Sequence, residues 1–288
     1  MKVRVLLTGG SGFTGRYVAA ALGDAGREAI TLEEAIGKPV DLLDREAVRR
    51  AVRLANADVV VHLAAVAYVA HEDVAGLYAA NIVGTRNLLE AVASGDRAPS
   101  NVILASSANI YGNVEGRIAE DTAAAPQNDY AVSKLAMEHM AHLWAGQLPL
   151  TVVRPFNYTG VGQSDRFLIP KIVAHFRERR PVLELGNLDV WREFNDVRDV
   201  AQVYGRLATR PGIGETLNVC SGAEHSLRDV LELAEDISGY APEVRVNPAF
   251  VRANEVVRLS GDTTRLEAAV GPVPRRPLAD TLRWMLSS

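Results

Sequence analysis

The sequence is poor in cysteine, in long apolar runs and in excess charge of either sign, and each shortage excludes a class of protein. Cys220 is the only cysteine in 288 residues, so no intramolecular disulfide can form. The thiol is expected to be buried and inert in a reducing cytosol. No run approaches the roughly 18 apolar residues of a membrane-spanning helix. Met1-Lys2 leads into a short run that meets glycines at once, which is not the pattern of a secretory leader. Lys and Arg number 31 against 35 acidic residues, a net charge of −4, and no basic cluster stands out. Nucleic acid and anionic membrane are therefore not expected as partners. No internal repeat, low-complexity tract or long linker is present, and no metal site is expected. What remains, at 48% apolar and 23% charged, is the balance of a soluble, cytoplasmic globular protein of one large or two intimate domains.

Two stretches carry chemistry. Ser106 and Ser107 follow the apolar run Val102-Ile103-Leu104, and Tyr130-Ala131-Val132-Ser133-Lys134 comes later. A Tyr and a Lys four apart on a helix share one face. The ammonium is expected to pull the phenol from about 10 toward neutrality. Such a tyrosine exchanges a proton with a carbonyl or alcohol oxygen near neutral pH. A serine hydroxyl at a strand end can hold that same oxygen. The set lacks only a source of hydride.

The N-terminal stretch supplies one. Val3-Arg4-Val5-Leu6-Leu7 reads as a buried parallel strand and Arg16 to Leu22 as a helix. Between them lies Thr8-Gly9-Gly10-Ser11-Gly12-Phe13-Thr14-Gly15. Gly9, Gly12 and Gly15 follow a variant of the dinucleotide fingerprint. The first allows the tight turn, the second lets backbone approach a pyrophosphate, and the third lets helix pack on strand. The positive end of the helix then faces the phosphates.

Together these stretches resemble the extended short-chain dehydrogenase/reductase family, over essentially the whole chain. The resemblance implies an α/β fold: a Rossmann-type doubly wound parallel sheet with a smaller, interleaved C-terminal substrate-binding domain. Residues 1–157, with about 194–220 returning, would form the dinucleotide domain and 158–288 the nucleotide-sugar region. It implies bound NAD(H) or NADP(H), with Ser107, Tyr130 and Lys134 as the catalytic trio. Tyr130 and Lys134 would also touch the cofactor, as would Phe13 and Thr14. Ser107 is preferred to Ser106 because it stands four before Tyr111, which matches the family pattern. A homodimer through the helices at 73–95 and 128–146 is likewise implied.

Further residues fall into place along the chain. Glu28 to Leu32 reads as a second strand ending at Glu33, where an acid binds the adenosine ribose hydroxyls and repels a 2′-phosphate. Glu33 thus leans the cofactor toward NAD(H), with Glu34 a competitor for the role. Asp41-Leu42 matches the pair that contacts adenine. Asp58 to Ala65 is a strand and its exit, and Leu63, Ala64 and Ala65 match a cofactor-ribose segment. His62 reads as structural, and His71 has no assigned role. Residues 73–95 read as one long amphipathic helix in which Asn81 ties strands together. Asn157 stands at the tip of a strand beginning at Leu150, where α/β sheets bind ligands.

The second half resembles the GDP-mannose branch of the family, in the segment from Arg154 to Gln163, the Gly186-Asn187-Leu188-Asp189 turn with Arg192, and Arg252 to Val256. Arg192 and Arg252 suit a diphosphate, and Glu255 suits a purine edge or ribose diol. A GDP-linked, or other nucleotide-linked, keto sugar is the implied partner. In the branch this resembles, 4,6-dehydratases use a Glu or Asp two residues after their Ser or Thr, and the matching position here is Asn109, unable to act as a base. Reduction of a C4 ketone in a 4-keto-6-deoxy sugar is therefore expected, with Asn109 touching substrate. A nucleotide-sugar 4-epimerase or a dehydratase is the alternative, and a non-catalytic nucleotide-sensing module the remote one.

Overall fold

A computed structural model describes residues 2–66, 73–250 and 257–288. Six parallel strands form the main sheet, in the order Thr216–Val219, Leu150–Pro155, Asn101–Ala105, Val59–His62, Arg4–Thr8, Glu28–Ile30. The apolar runs in these strands are buried on both faces, as a parallel sheet covered by helices requires. Alternate residues separate into two layers. Val5, Leu7, Val61, Ile103 and Val153 pack on one side with Val18 and Leu22 of helix Phe13–Asp24 and with Val200 and Tyr204 of helix Val197–Leu207. Leu6, Val60, Val102 and Leu104 pack on the other with helices Arg45–Ala55, Thr85–Ala93 and Asp129–His142. The chain crosses between Arg4–Thr8 and Val59–His62, so the carboxyl ends of those strands frame the crevice in which such sheets bind ligands.

A second, smaller region has its own core of Ile172, Phe176, Leu183, Val230 and Leu282, on helices Leu168–Arg177, Leu227–Ser238 and Leu278–Leu286. Its four-stranded sheet runs His225–Ser226, Trp191–Arg192, Arg258–Gly261, Gly116–Ile118.

Three expected elements differ. The second strand stops at Ile30, because Thr31 caps a short helix, Leu32–Ile36, in a reciprocal capping box with Glu34. The helix expected over 73–95 carries a π-helical turn, Ala79–Gly84, between Val74–Tyr78 and Thr85–Ala93. The extra residue of that turn accompanies an inward Asn81, bonded to the backbone of Val66 and to Ser133 Oγ. Gly214 to Cys220 reads as a strand in the sequence, but the strand runs Thr216–Val219, because Gly214 has φ +69°, outside the extended region.

Candidate active site

The glycine turn has the shape a pyrophosphate needs. Gly9 has φ +71°, and a Cβ there would lie 2.8 Å from Ala64 N. A Cβ on Gly15 would lie 2.6 Å from Gly10 Cα and collide with Gly9 O. No side chain caps helix Phe13–Asp24 at Gly12, so its first N–H groups are left for an anion. These residues fit a dinucleotide. Leu63, Ala64 and Ala65 are half-buried at the neighbouring strand exit, where Ala64 N donates to Thr8 Oγ1 at 3.2 Å.

A line of buried hydrogen bonds fixes this exit. Thr85 Oγ1 donates to Asn81 O at 2.7 Å, so at its 2.8 Å contact with His62 Nε2 it accepts. Nε2 therefore carries the proton, and Nδ1 accepts from Thr8 Oγ1 at 2.7 Å. Burial, and then the nearby Lys134 charge, push the imidazole down to about 3. His62 is thus neutral and structural.

The three residues expected to be catalytic converge. Ser107 Oγ accepts from Asn109 N at 3.2 Å, which leaves the hydroxyl proton to donate. The Ser107 side chain lies close enough to the Tyr130 phenol to lower its pKa. Lys134 Nζ donates to Ala105 O at 2.7 Å, at the tip of the strand that leads into Ser107. All three side chains are buried. The expected ionisation is corrected here. Burial, reinforced by nearby Tyr158 and opposed by Ser107, pushes the phenol up to about 12 rather than toward neutrality. Burial also pushes Lys134 down to about 8, against a raising influence from Glu138. Desolvation of the buried phenol is the largest influence on it, which spacing along the helix does not report. The pair stays a neutral phenol and a cation at neutral pH.

The other predicted residues are more scattered. Glu33 is exposed in the first turn of Leu32–Ile36 rather than at a strand end, while Glu34 is occupied by Thr31 N at 2.7 Å. Asp41 is exposed, its Oδ1 accepting from Leu43 N at 2.9 Å, and Asn87 Nδ2 holds Leu42 O at 2.9 Å. Asn109 and Asn157 are exposed at the strand exits. Arg192 lies in the small sheet, where Nη1 donates to Trp191 O at 2.8 Å. Arg252, Glu255 and His71 lie outside the described residues.

Several residues escaped the sequence reading. Tyr158 stacks on Phe13 at 6.2 Å, and its hydroxyl meets Thr14 Oγ1 at 2.8 Å. Glu138 and Arg154 form a largely buried ion pair beside the trio. Glu138 was open to discovery, since it stands four residues after Lys134 on the same helix face.

A family model described as "NAD dependent epimerase/dehydratase family" matches residues 5–220. GDP-6-deoxy-D-talose 4-dehydrogenase of Aggregatibacter actinomycetemcomitans is 34% identical over 93% of this chain and 92% of its own length. GDP-6-deoxy-D-mannose reductase of Pseudomonas aeruginosa is 35% identical over 100% of this chain and 97% of its own. Among solved structures, a candidate epimerase of Burkholderia cenocepacia J2315 is 51% identical, covers 99% of this chain and 97% of its own, and has a TM-score of 0.92. The Pseudomonas aeruginosa protein RMD, complexed with NADPH, is 34% identical over 100% of this chain and 97% of its own, with a TM-score of 0.89.

Proposed function

The chain belongs to the NAD dependent epimerase/dehydratase family, and we propose that within it the protein is an NAD(P)H-dependent reductase of the C4 ketone in a GDP-linked 4-keto-6-deoxy sugar. The product is a GDP-6-deoxyhexose. The observation that carries this reading is the convergence of Ser107, Tyr130 and Lys134 beside a glycine turn, with Asn109 where elimination would need a carboxylate. The two relatives described above, 34% and 35% identical to this chain, are named for GDP-6-deoxyhexoses.

The turn at Gly9, Gly12 and Gly15, with the N–H groups of Phe13 and Thr14, would hold the pyrophosphate, and Leu63 to Ala65 the ribose side. Bound reduced nicotinamide supplies hydride to C4 of the sugar. Tyr130, neutral at working pH, gives its phenolic proton to the oxygen as negative charge develops there. Ser107 donates to that same oxygen, and its own oxygen is held by Asn109 N–H. Lys134 spends one N–H on Ala105 O and keeps two for the nicotinamide ribose and the phenol. Its positive charge favours the phenolate left behind. Asn109 and Asn157 suit sugar hydroxyls, Arg192 and Arg252 the diphosphate, and Glu255 the purine or ribose. Glu33 is a weak discriminator from its helix, so the cofactor is given as NAD(H) or NADP(H). A second copy packing on the faces that expose Val74, Val83, Val132 and Leu143 would give a homodimer. Among the described residues no helix is long and apolar enough to cross a membrane, and a cytoplasmic location suits the substrate.

The test is absorbance at the reduced-nicotinamide band, with NADH or NADPH and freshly made GDP-4-keto-6-deoxy-mannose. Oxidation of cofactor that depends on the keto sugar is the expected result and ranks the two cofactors. Conversion of GDP-mannose or a UDP-sugar without added cofactor would replace the reading with dehydratase or epimerase.

A further inference from the structure

The catalytic helix carries an ionic pair that the trio does not use. Glu138 follows Lys134 by four residues, the spacing at which a carboxylate closes on an ammonium. Instead, both of its oxygens are taken by Arg154, Nε to Oε1 at 3.0 Å and Nη2 to Oε2 at 2.6 Å. Arg154 comes from strand Leu150–Pro155 and is itself held by further partners. Nη1 donates to Tyr111 Oη at 2.8 Å and to Glu120 O at 2.9 Å, and the guanidinium lies 5.1 Å from the Tyr111 ring centre. Tyr111 in turn donates to Asn218 Oδ1 at 2.7 Å. The side chains of Arg154 and Glu138 are only 11% and 10% exposed. A buried ion pair returns little net stability against well-packed apolar residues, so its placement beside the lysine is the informative feature.

The other groups around Lys134 leave this pair as the adjustable element. Tyr130 shares the helix face and is neutral, and Tyr158 faces Tyr130. His62, on the neighbouring strand, is neutral and locked between two hydroxyls. Asn81 and Ser133, bonded to each other where the π-helical turn meets the catalytic helix, do not titrate.

We propose that Arg154 is a positioning residue of the active site: by claiming both oxygens of Glu138 it stops that carboxylate from closing on Lys134, and so keeps the ammonium's free N–H groups for the cofactor. The proposal rests on the reading of Lys134 as a cofactor and catalytic residue. It predicts that loss of Arg154 does damage through Glu138, which separates it from a purely structural role.

The experiment is a double-mutant cycle on NADH and NADPH affinity, read by nucleotide fluorescence without sugar, with unfolding midpoints as control. Arg154→Met is expected to weaken binding about 10-fold, the order of loss that misplacement of a binding group brings. Arg154→Met with Glu138→Gln is expected to recover to within about 3-fold of wild type, and in a Lys134→Met background Arg154→Met is expected to do nothing more. Arg154→Lys, which keeps a cation but lacks the bidentate fork, is the milder arm should Arg154→Met not fold, with a loss of about 3-fold that Glu138→Gln again recovers. A folded double variant as weak as its arginine single variant would overturn the proposal, as would an arginine variant that binds like wild type. Wild-type protein that binds neither nucleotide would sink the cofactor reading and this proposal with it, a result distinguishable from failure of the rescue alone.

Discussion

The half of this chain proposed to hold cofactor and the half proposed to hold substrate, here the cofactor half and the substrate half, are held together by different physics. The main sheet is built from apolar runs whose alternate residues pack on two helical layers, and its register follows from which face each residue buries. The smaller region relies on two-residue strands, Trp191–Arg192, Asn195–Asp196 and His225–Ser226, pinned by buried carboxylates. Glu193 Oε2 accepts from Ser221 N at 2.7 Å and Asn195 Nδ2 at 3.0 Å, and Oε1 from Gly261 N at 2.6 Å. Asp196 accepts from Arg198 at 2.6 Å and Thr281 at 2.7 Å. These bonds hold its carboxyl below the usual range despite the opposing effect of burial. Apolar packing is non-directional and tolerant, whereas each carboxylate fixes one geometry and fails when one donor is lost.

That contrast is open to breaking. The largest effect is expected at the chemistry itself: Tyr130→Phe should lower kcat for keto-sugar reduction by about 10²- to 10⁴-fold, with a far smaller change in cofactor affinity. A variant with full turnover would remove the tyrosine from its role. Next comes Gly15→Ala. The added methyl would meet Gly10 Cα at 2.6 Å and Gly9 O closer still, both backbone. The turn has to open, so nucleotide affinity should fall by about 10-fold or more while the unfolding midpoint drops by the equivalent of about 1–3 kcal/mol. Normal binding with a normal midpoint would mean the turn is less tightly closed than drawn. Glu193→Gln tests the other half. Gln turns an amide N–H₂ toward donors that need an acceptor, costing about 1–3 kcal/mol. The sugar KM should rise several-fold with cofactor affinity unchanged, and a parallel loss of cofactor binding would erase the distinction between the halves.

The same contrast governs what was legible in the sequence. The sheet, the glycine turn and the trio are written in local patterns: apolar runs of strand length, a three-residue glycine repeat, a Tyr and Lys one turn apart. The second-strand terminus was not, because the Thr31–Glu34 capping box competes with strand extension, and it carried Glu33 away from the strand tip. The π-helical turn depends on Asn81 finding Val66 and Ser133, which are far along the chain. The tyrosine's ionisation was misjudged because spacing reports the neighbour but not the depth of burial. Glu193 and Arg154 looked like any charged residues, since partners from three or four separate segments cannot be read from one.

The smallest expected effect lies inside the cofactor half, at the line of hydrogen bonds through His62. His62 in the fold is pushed down to about 3 by burial, from an ordinary 6.5. Between those values the unfolded chain takes up a proton that the native state refuses, so stability falls as pH drops below 6.5 toward about 3, and His62 has no influence above that window. The slope is at most about 1.4 kcal/mol per pH unit. His62→Gln removes the titration, and although the variant starts less stable, its stability should decline less steeply than wild type from about pH 6.5 to about pH 5. Denaturant midpoints across that range measure the difference, with carboxylates such as Asp58 and Asp196 contributing equally to both proteins. Parallel declines would mean that His62 protonates in the fold, and that the hydroxyl pair of Thr8 and Thr85 tolerates an imidazolium. The cofactor half would then share the polar sensitivity assigned here to the substrate half.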